Sequence, residues 1–416
     1  MKINKSKFYT YLFVIVLFLQ LYLPSFRLNI FIQIFVLFIY FFFEKPIFSI
    51  RFIKFISPLI ALMLVGFIGT FIHQFKLVDI LKDIFHFLKP IIGLSIGFLF
   101  FTKVGDFKRF IKIIVIAGFI SAIIHFIVLL LTGGFSTGTI SGIREFSKDN
   151  FLELFALFFL IYYKKFYQDQ LFKFKSNHQI ILFILLASNI LYFSRTMMVV
   201  AAILFFSMHG YTYITKKSIK YIALAILGIV VFYTYLFSVK IERNKPGLEA
   251  FLYKVKIAPS ELFKTKIDRD NHKELWDHWR AYESKRALDL MADYPSSYIF
   301  GTGHGSLVNL KFKAPLVADD GMRYISELHN GYTYALYKTG FIGLFILLFF
   351  LFGLYRKIYK FHRKNDFGLY FISAIGVIYL FTTLTITGVY NGRDVIIFIL
   401  GALLCFHFKE SILIKK

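Results

Sequence analysis

The chain has 416 residues, of which 58% are hydrophobic and 20% aromatic, and it carries a formal net charge of +25. That apolar content excludes a water-soluble core and marks an integral membrane protein. The single cysteine, Cys405, excludes a disulfide framework and reads as a buried, space-filling thiol.

Charged residues gather between apolar runs of roughly 15 to 24 residues, the length a helix needs to cross about 30 Å of hydrocarbon. Twelve runs lie near 8–24, 28–43, 55–73, 89–102, 110–131, 150–163, 179–193, 197–215, 219–239, 332–355, 367–387 and 394–408. Stretches such as FYTYLFVIVLFLQLYL are apolar all round, whereas barrel strands alternate with period two. The predicted fold is therefore an all-α polytopic membrane protein, with spans one to nine in 1–239, one large outer loop at 240–328 and spans ten to twelve in 329–416. The N-terminal MKINKSKFYT is basic ahead of an apolar run, but no small-residue cleavage site follows LQLYLPSF, so it reads as the first span.

An even number of spans places both termini on one side. With the termini cytoplasmic, the inner segments are MKINKSK, EKPIFSIRFIK, TKVGDFKRFIK, YYKKFYQDQLFKFKSNH, TKKSIK, RKIYKFHRKND and KESILIKK, and each carries several Lys or Arg. This obeys the positive-inside rule, so the net charge needs no nucleic-acid partner. The outer loop contains KELWDHWRAYESKRALDLMADYP, read as one amphipathic helix. Leu275, Trp279, Tyr282 and then Leu290 or Met291 fall on one side, Trp276, Arg280, Glu283 and Ala287 on another, and Pro295 lies past its end. Upstream, PGLEAFLYKVKIAPSELFKTK reads as one or two shorter helices at the outer membrane boundary.

Four outward arginines are not explained by the positive-inside rule: Arg144, Arg195, Arg280 and Arg393. Spans six, eight, ten and twelve run inward, so their N-termini, with unpaired amides and the positive dipole end, gather at the outer face. Three of these starts have an arginine nearby and the fourth has His329; Asn150, Ser194 and Asn391 are candidate caps. Helix ends and guanidinium forks together suit a phosphate. Taken singly, each arginine also fits snorkelling to lipid headgroups, and Asp394 could pair with Arg393. Arg195 resists that reading best, because only Ser194 and Arg195 interrupt an apolar stretch from Ile180 to Met208. His329 fits either a capping role or, kept neutral by the helix dipole and nearby arginines, a proton acceptor.

Other signals carry less. FGTGHGS lacks the Lys-Ser/Thr of a nucleotide loop and reads as a tight turn. His272, His278 and His304 have no metal-site spacing, and Asp319 with Asp320 is a weak cation candidate, so neither metal nor cofactor is expected. The 56 phenylalanines fall mostly in the apolar runs and read as lipid-facing and packing residues.

Three stretches, SRTMM, RAYESKRALDLMADYPSSYIFGTGHG and HNGYTYALYKTGFIGLF, together resemble the O-antigen ligase and O-antigen polymerase superfamily, bacterial polytopic glycosyltransferases of the GT-C type. Arg280, Ala287, Leu288, Pro295, Gly301 and Gly303 fit one part of the family pattern, and His329, Asn330, Gly340 and Gly343 another; Ser284 stands where a tryptophan is frequent. The resemblance covers residues 180–355. It implies transfer of a glycan from undecaprenyl diphosphate, at the periplasmic face of the cytoplasmic membrane, with inversion and without a metal. The acceptor is a sugar hydroxyl of lipid A-core for a ligase, the favoured reading, or of a second lipid-linked glycan for a polymerase. It further implies that Arg195 and Arg280 hold the diphosphate, that Arg144, Arg393 and Asn330 assist, that His329 activates or orients the acceptor hydroxyl, and that an apolar groove between spans holds the polyprenyl chain. A polysaccharide flippase is the alternative of another class, but it should place its charges near the midplane and show related halves.

Overall fold

The computed structural model describes residues 4–45, 48–134, 147–167, 169–243, 247–315, 321–359 and 366–413, with positions 136, 140 and 143. Each of the twelve apolar runs forms a helix. In chain order these are α1 (Lys5–Tyr22), α2 (Phe26–Glu44), α3 (Ile50–Ile72), α4 (Leu77–Val104), α5 (Phe107–Leu131), α6 (Phe151–Tyr167), α7 (Lys175–Leu191), α8 (Arg195–Met208) and α9 (Lys216–Ser238). After the large loop come α15 (Gly331–Tyr355), α16 (Phe367–Ile386) and α17 (Ile396–Leu413). Among the described residues, seven of these helices, α2 to α5, α9, α15 and α16, are long and apolar enough on their own to cross a membrane. The protein is an all-α polytopic membrane protein.

Local chemistry sets where the helices begin. Ser25, Ser49, Asp106, Ser194, Asn330 and Asp366 each accept a first-turn amide of the helix they precede, and Thr215 forms a reciprocal capping box with Ser218. The helix α4 starts three turns earlier than its apolar run predicts, because Asp83, His86 and Lys89 are taken inside the bundle rather than left to water. It packs along α17 through small residues. A Cβ on Gly97 would sit 2.0 Å from the Phe398 carbonyl oxygen, and one on Gly401 would sit 2.2 Å from that of Leu94. The opposite case is α9, where only Ser218 and Leu236 are buried, as expected for a helix facing lipid on nearly every side.

The loop folds into α10 (Leu248–Lys256), α11 (Ser260–Phe263), α12 (His272–Asp277), α13 (Trp279–Ala292), α14 (Ser297–Phe300) and an antiparallel pair, β1 (Val308–Ala314) with β2 (Met322–Ile325). The single helix predicted over 273–295 breaks at His278, whose backbone (φ −119°, ψ 25°) is not helical. The hairpin was not expected. Its alternation of Val308, Leu310, Phe312 and Ala314 is the period-two signal of a strand with one buried face. Asp319 and Asp320 lie outside the described residues.

The FGTGHGS segment is a tight turn that locks the loop to the bundle. Thr302 and Gly303 donate their amides to the Tyr337 and Lys338 carbonyls, at 2.7 and 3.1 Å, and His304 Nε2 pairs with the Met63 carbonyl at 2.8 Å. To admit this turn, α15 is interrupted at Gly340 (φ 66°, ψ −170°) where a continuous helix was expected; a Cβ there would meet the Ile299 carbonyl oxygen at 2.2 Å. Beneath the turn, Lys338 and Asp83 form an ion pair of 2.6 Å that is buried on both sides, and Asp83 also accepts the Gly305 amide at 2.6 Å.

Candidate active site

Arg195 opens α8 after a turn of three residues, in which Phe193 adopts a left-handed backbone (φ 44°) and Ser194 caps the helix through the Met197 amide at 3.2 Å. Arg280 lies in the first turn of α13, and His329 immediately precedes Asn330, the cap of α15. These three residues come from distant segments and line one cavity of about 320 Å³.

Two carboxylates organise the cavity, and the sequence reading missed the part each plays. Buried Glu261, on α11, receives the Arg195 fork through Nη1 and Nη2 at 3.2 and 3.3 Å and Nη1 of Arg280 at 2.7 Å. Arg195 also donates to the Lys254 carbonyl. Burial pushes the Arg280 guanidinium below its usual range; Glu261 opposes this, and the charge of Arg195 adds to it. The second carboxylate, Glu283, accepts His329 Nδ1 at 2.8 Å and the His329 amide at 3.1 Å. A carboxylate oxygen accepts, so Nδ1 is the donor of this bond, and in a neutral imidazole that leaves the lone pair on Nε2. Sequence reading had placed His329 among cations alone. A carboxylate in contact with it corrects that picture.

Trp276 and Trp279, stacked with ring centroids 4.9 Å apart, and Asp277 complete the wall. Asp277 holds Arg243 at 3.0 Å and Lys254 at 2.7 Å, which ties α10 to α12. Two buried donors here, Trp279 Nε1 and Arg280 Nε, have no hydrogen-bond partner among the described residues.

An apolar groove of about 440 Å³ shares Arg195, Glu261 and Arg280 with the cavity. Met198 and Val199 of α8, Phe232 of α9, Val255 of α10 and Phe381 of α16 form its sides. One end is thus cationic and the rest is suited to a hydrocarbon chain.

The remaining expected residues are not brought to this cavity. Asn330 spends its Oδ1 on the Tyr332 and Thr333 amides, at 3.0 and 3.3 Å, and is a cap rather than a lining residue. Arg393 lines a different pocket, and Arg144 lies outside the described residues. Asp394 does not pair with Arg393; its Oδ2 accepts the Tyr379 hydroxyl at 2.6 Å and its Oδ1 the Ile396 amide at 2.9 Å.

A comparison with curated proteins finds no match. Residues 180–348 match the family model described as O-antigen ligase, a segment that contains Arg195, Glu261, Arg280, Glu283 and His329 and excludes Arg393. Over this segment, which runs from within α7 past the break in α15, the chain is similar to the O-antigen ligase family.

Proposed function

We propose that the protein is an O-antigen ligase, transferring a glycan from undecaprenyl diphosphate to a sugar hydroxyl of lipid A-core at the periplasmic membrane face. The observation that carries this reading is the meeting of Arg195, Arg280 and His329 in one cavity that continues into an apolar groove. The polyprenyl chain lies in the groove and the diphosphate at its cationic end, where it takes the guanidinium donors now engaged by Glu261. His329 Nε2 accepts the proton of the acceptor hydroxyl, and the oxygen attacks the anomeric carbon. The bond to the diphosphate then breaks, and its electron pair stays on the departing phosphate oxygen, with inversion at carbon. Charge-assisted hydrogen bonds contribute roughly 1.5 to 3 kcal/mol each, and those that tighten as charge develops supply rate.

The test is transfer in proteoliposomes from an undecaprenyl-diphosphate glycan, offered lipid A-core and a second lipid-linked glycan in separate reactions. Product on lipid A-core that disappears in Arg195→Ala, Arg280→Ala and His329→Ala supports the ligase. Longer lipid-linked chains alone would make it a polymerase with the same site. Glycan moved to the opposite leaflet without a new bond would overturn the enzyme reading.

A further inference from the structure

The surroundings of Arg393 form a second built site. Three neighbouring helices hold the turn that carries it, two through its backbone carbonyls and one through the Asp394 side chain. Gln20 of α1 donates to the Gly392 carbonyl at 2.8 Å, Lys89 of α4 donates to the Asn391 carbonyl, and Tyr379 of α16 donates to Asp394 at 2.6 Å. Asn391 Oδ1 accepts the Arg393 amide at 3.0 Å. The neighbouring carboxylate is therefore committed elsewhere, and the Arg393 guanidinium has no hydrogen bond or ion pair among the described residues. Burial pushes that guanidinium below its usual range. A fixed backbone holding an unpaired, partly desolvated guanidinium is preorganised to bind an anion.

The guanidinium lines a pocket of about 230 Å³ together with a second cation, Lys148, and one carboxylate, Asp149. Asp149 also acts on the charge of Arg280. A buried network holds the far wall rigid: Glu153 accepts Ser188 at 2.5 Å, Ser121 at 2.8 Å and Tyr192 at 2.9 Å. His125 bridges Ser188 and Ser147 at 2.8 and 2.7 Å and stacks on Tyr192 with centroids 4.0 Å apart. Leu21 of α1 with Ile124 and Val128 of α5 add an apolar face. Two cations at the rim of an apolar crevice between helices match a membrane amphiphile with a phosphate headgroup.

We propose that this pocket binds the phosphate of the membrane-anchored acceptor glycolipid, leaving the cavity of Arg195 and Arg280 to the donor. The inference rests on the transfer reading for the word acceptor. Tyr192 lines the phosphate pocket and Arg195 the donor cavity, so one turn of chain separates them. An acceptor held at Arg393 and Lys148 would have to pass its sugars across this turn to meet His329.

The experiment measures binding to the full chain in nanodiscs, which needs no turnover. The probes are lipid A, its dephosphorylated form, undecaprenyl diphosphate and inorganic phosphate. Arg393→Ala and Lys148→Ala should each weaken lipid A binding about 10- to 100-fold, with Arg393→Lys intermediate and undecaprenyl diphosphate binding unchanged. Dephosphorylated lipid should bind the wild type as weakly as lipid A binds Arg393→Ala, with no further loss in the variant. Unchanged lipid A binding, an equal loss for the dephosphorylated form, or a loss of undecaprenyl diphosphate binding instead would each overturn the proposal. So would inorganic phosphate binding as tightly as the lipid. If transfer is absent but this binding pattern holds, the function reading fails and the phosphate site stands.

Discussion

Glu283 Oε2 accepts both the ring Nδ1 and the backbone amide of His329, at 2.8 and 3.1 Å, across 46 positions of sequence. One carboxylate thereby sets the ring's orientation and its tautomer. On the proposed reading His329 is the general base, so its replacement with Ala should lower kcat about 10²–10⁴-fold. Glu283→Ala should lose part of the same factor, Glu283→Gln less because its amide oxygen still accepts Nδ1–H, and the double variant should be no slower than His329→Ala. Additive losses in single-turnover rates would show that Glu283 acts elsewhere.

Arg195 uses both ends of its guanidinium on Glu261, at 3.2 and 3.3 Å. A lysine cannot reproduce that fork, so Arg195→Lys should resemble Arg195→Ala in kcat/KM rather than the wild type. Full activity in the lysine variant would reduce Arg195 to a point charge.

Glu261 occupies the two guanidinium groups that the proposed donor would take. Glu261→Gln should therefore tighten the binding of undecaprenyl diphosphate while lowering Tm, since two partly buried cations lose their shared anion. Weaker donor binding in this variant would mean that Glu261 builds the site instead of occupying it.

The ion pair of Lys338 with Asp83 is exposed by no more than 1% on either side. Breaking it from one side should destabilise the protein by about 3–5 kcal/mol, whereas Lys338→Met combined with Asp83→Leu should cost less than either single change. Thermal unfolding in detergent, read by tryptophan fluorescence, checks the order.

The helices were legible because hydrocarbon imposes length and apolarity on each span separately, a constraint that acts within a single run of sequence. What escaped depends on partners far along the chain. The early start of α4 requires Lys338 to neutralise Asp83, and the break at Gly340 requires the turn at Gly301 and Gly303. The site divided in the same way. Arg195 and His329 at outer span starts, and Arg280 as an outward arginine in the loop helix, stand out against a positive-inside pattern, so they could be picked as candidates from residue type and position. Glu261 and Glu283 are ordinary acids in a polar loop until Arg195, 66 positions away from Glu261, and His329 fold onto them. For Glu283 a signal existed, since it lies one helical turn from Arg280 on the same face. Asn330 and Arg393 carried the right chemistry but are placed at a helix cap and in a separate pocket.

The central claim is a division of labour in which the arginines hold the donor diphosphate and His329 acts on the acceptor. Donor binding and single-turnover transfer, measured on the same preparations of wild type, Arg195→Ala, Arg280→Ala and His329→Ala, test it most directly. The account predicts that His329→Ala binds undecaprenyl-diphosphate glycan like the wild type and transfers it at least 10²-fold more slowly, on the scale of a lost general base, while each arginine variant loses donor binding. Wild-type single-turnover rates in His329→Ala, or undiminished donor binding in both arginine variants, would contradict it.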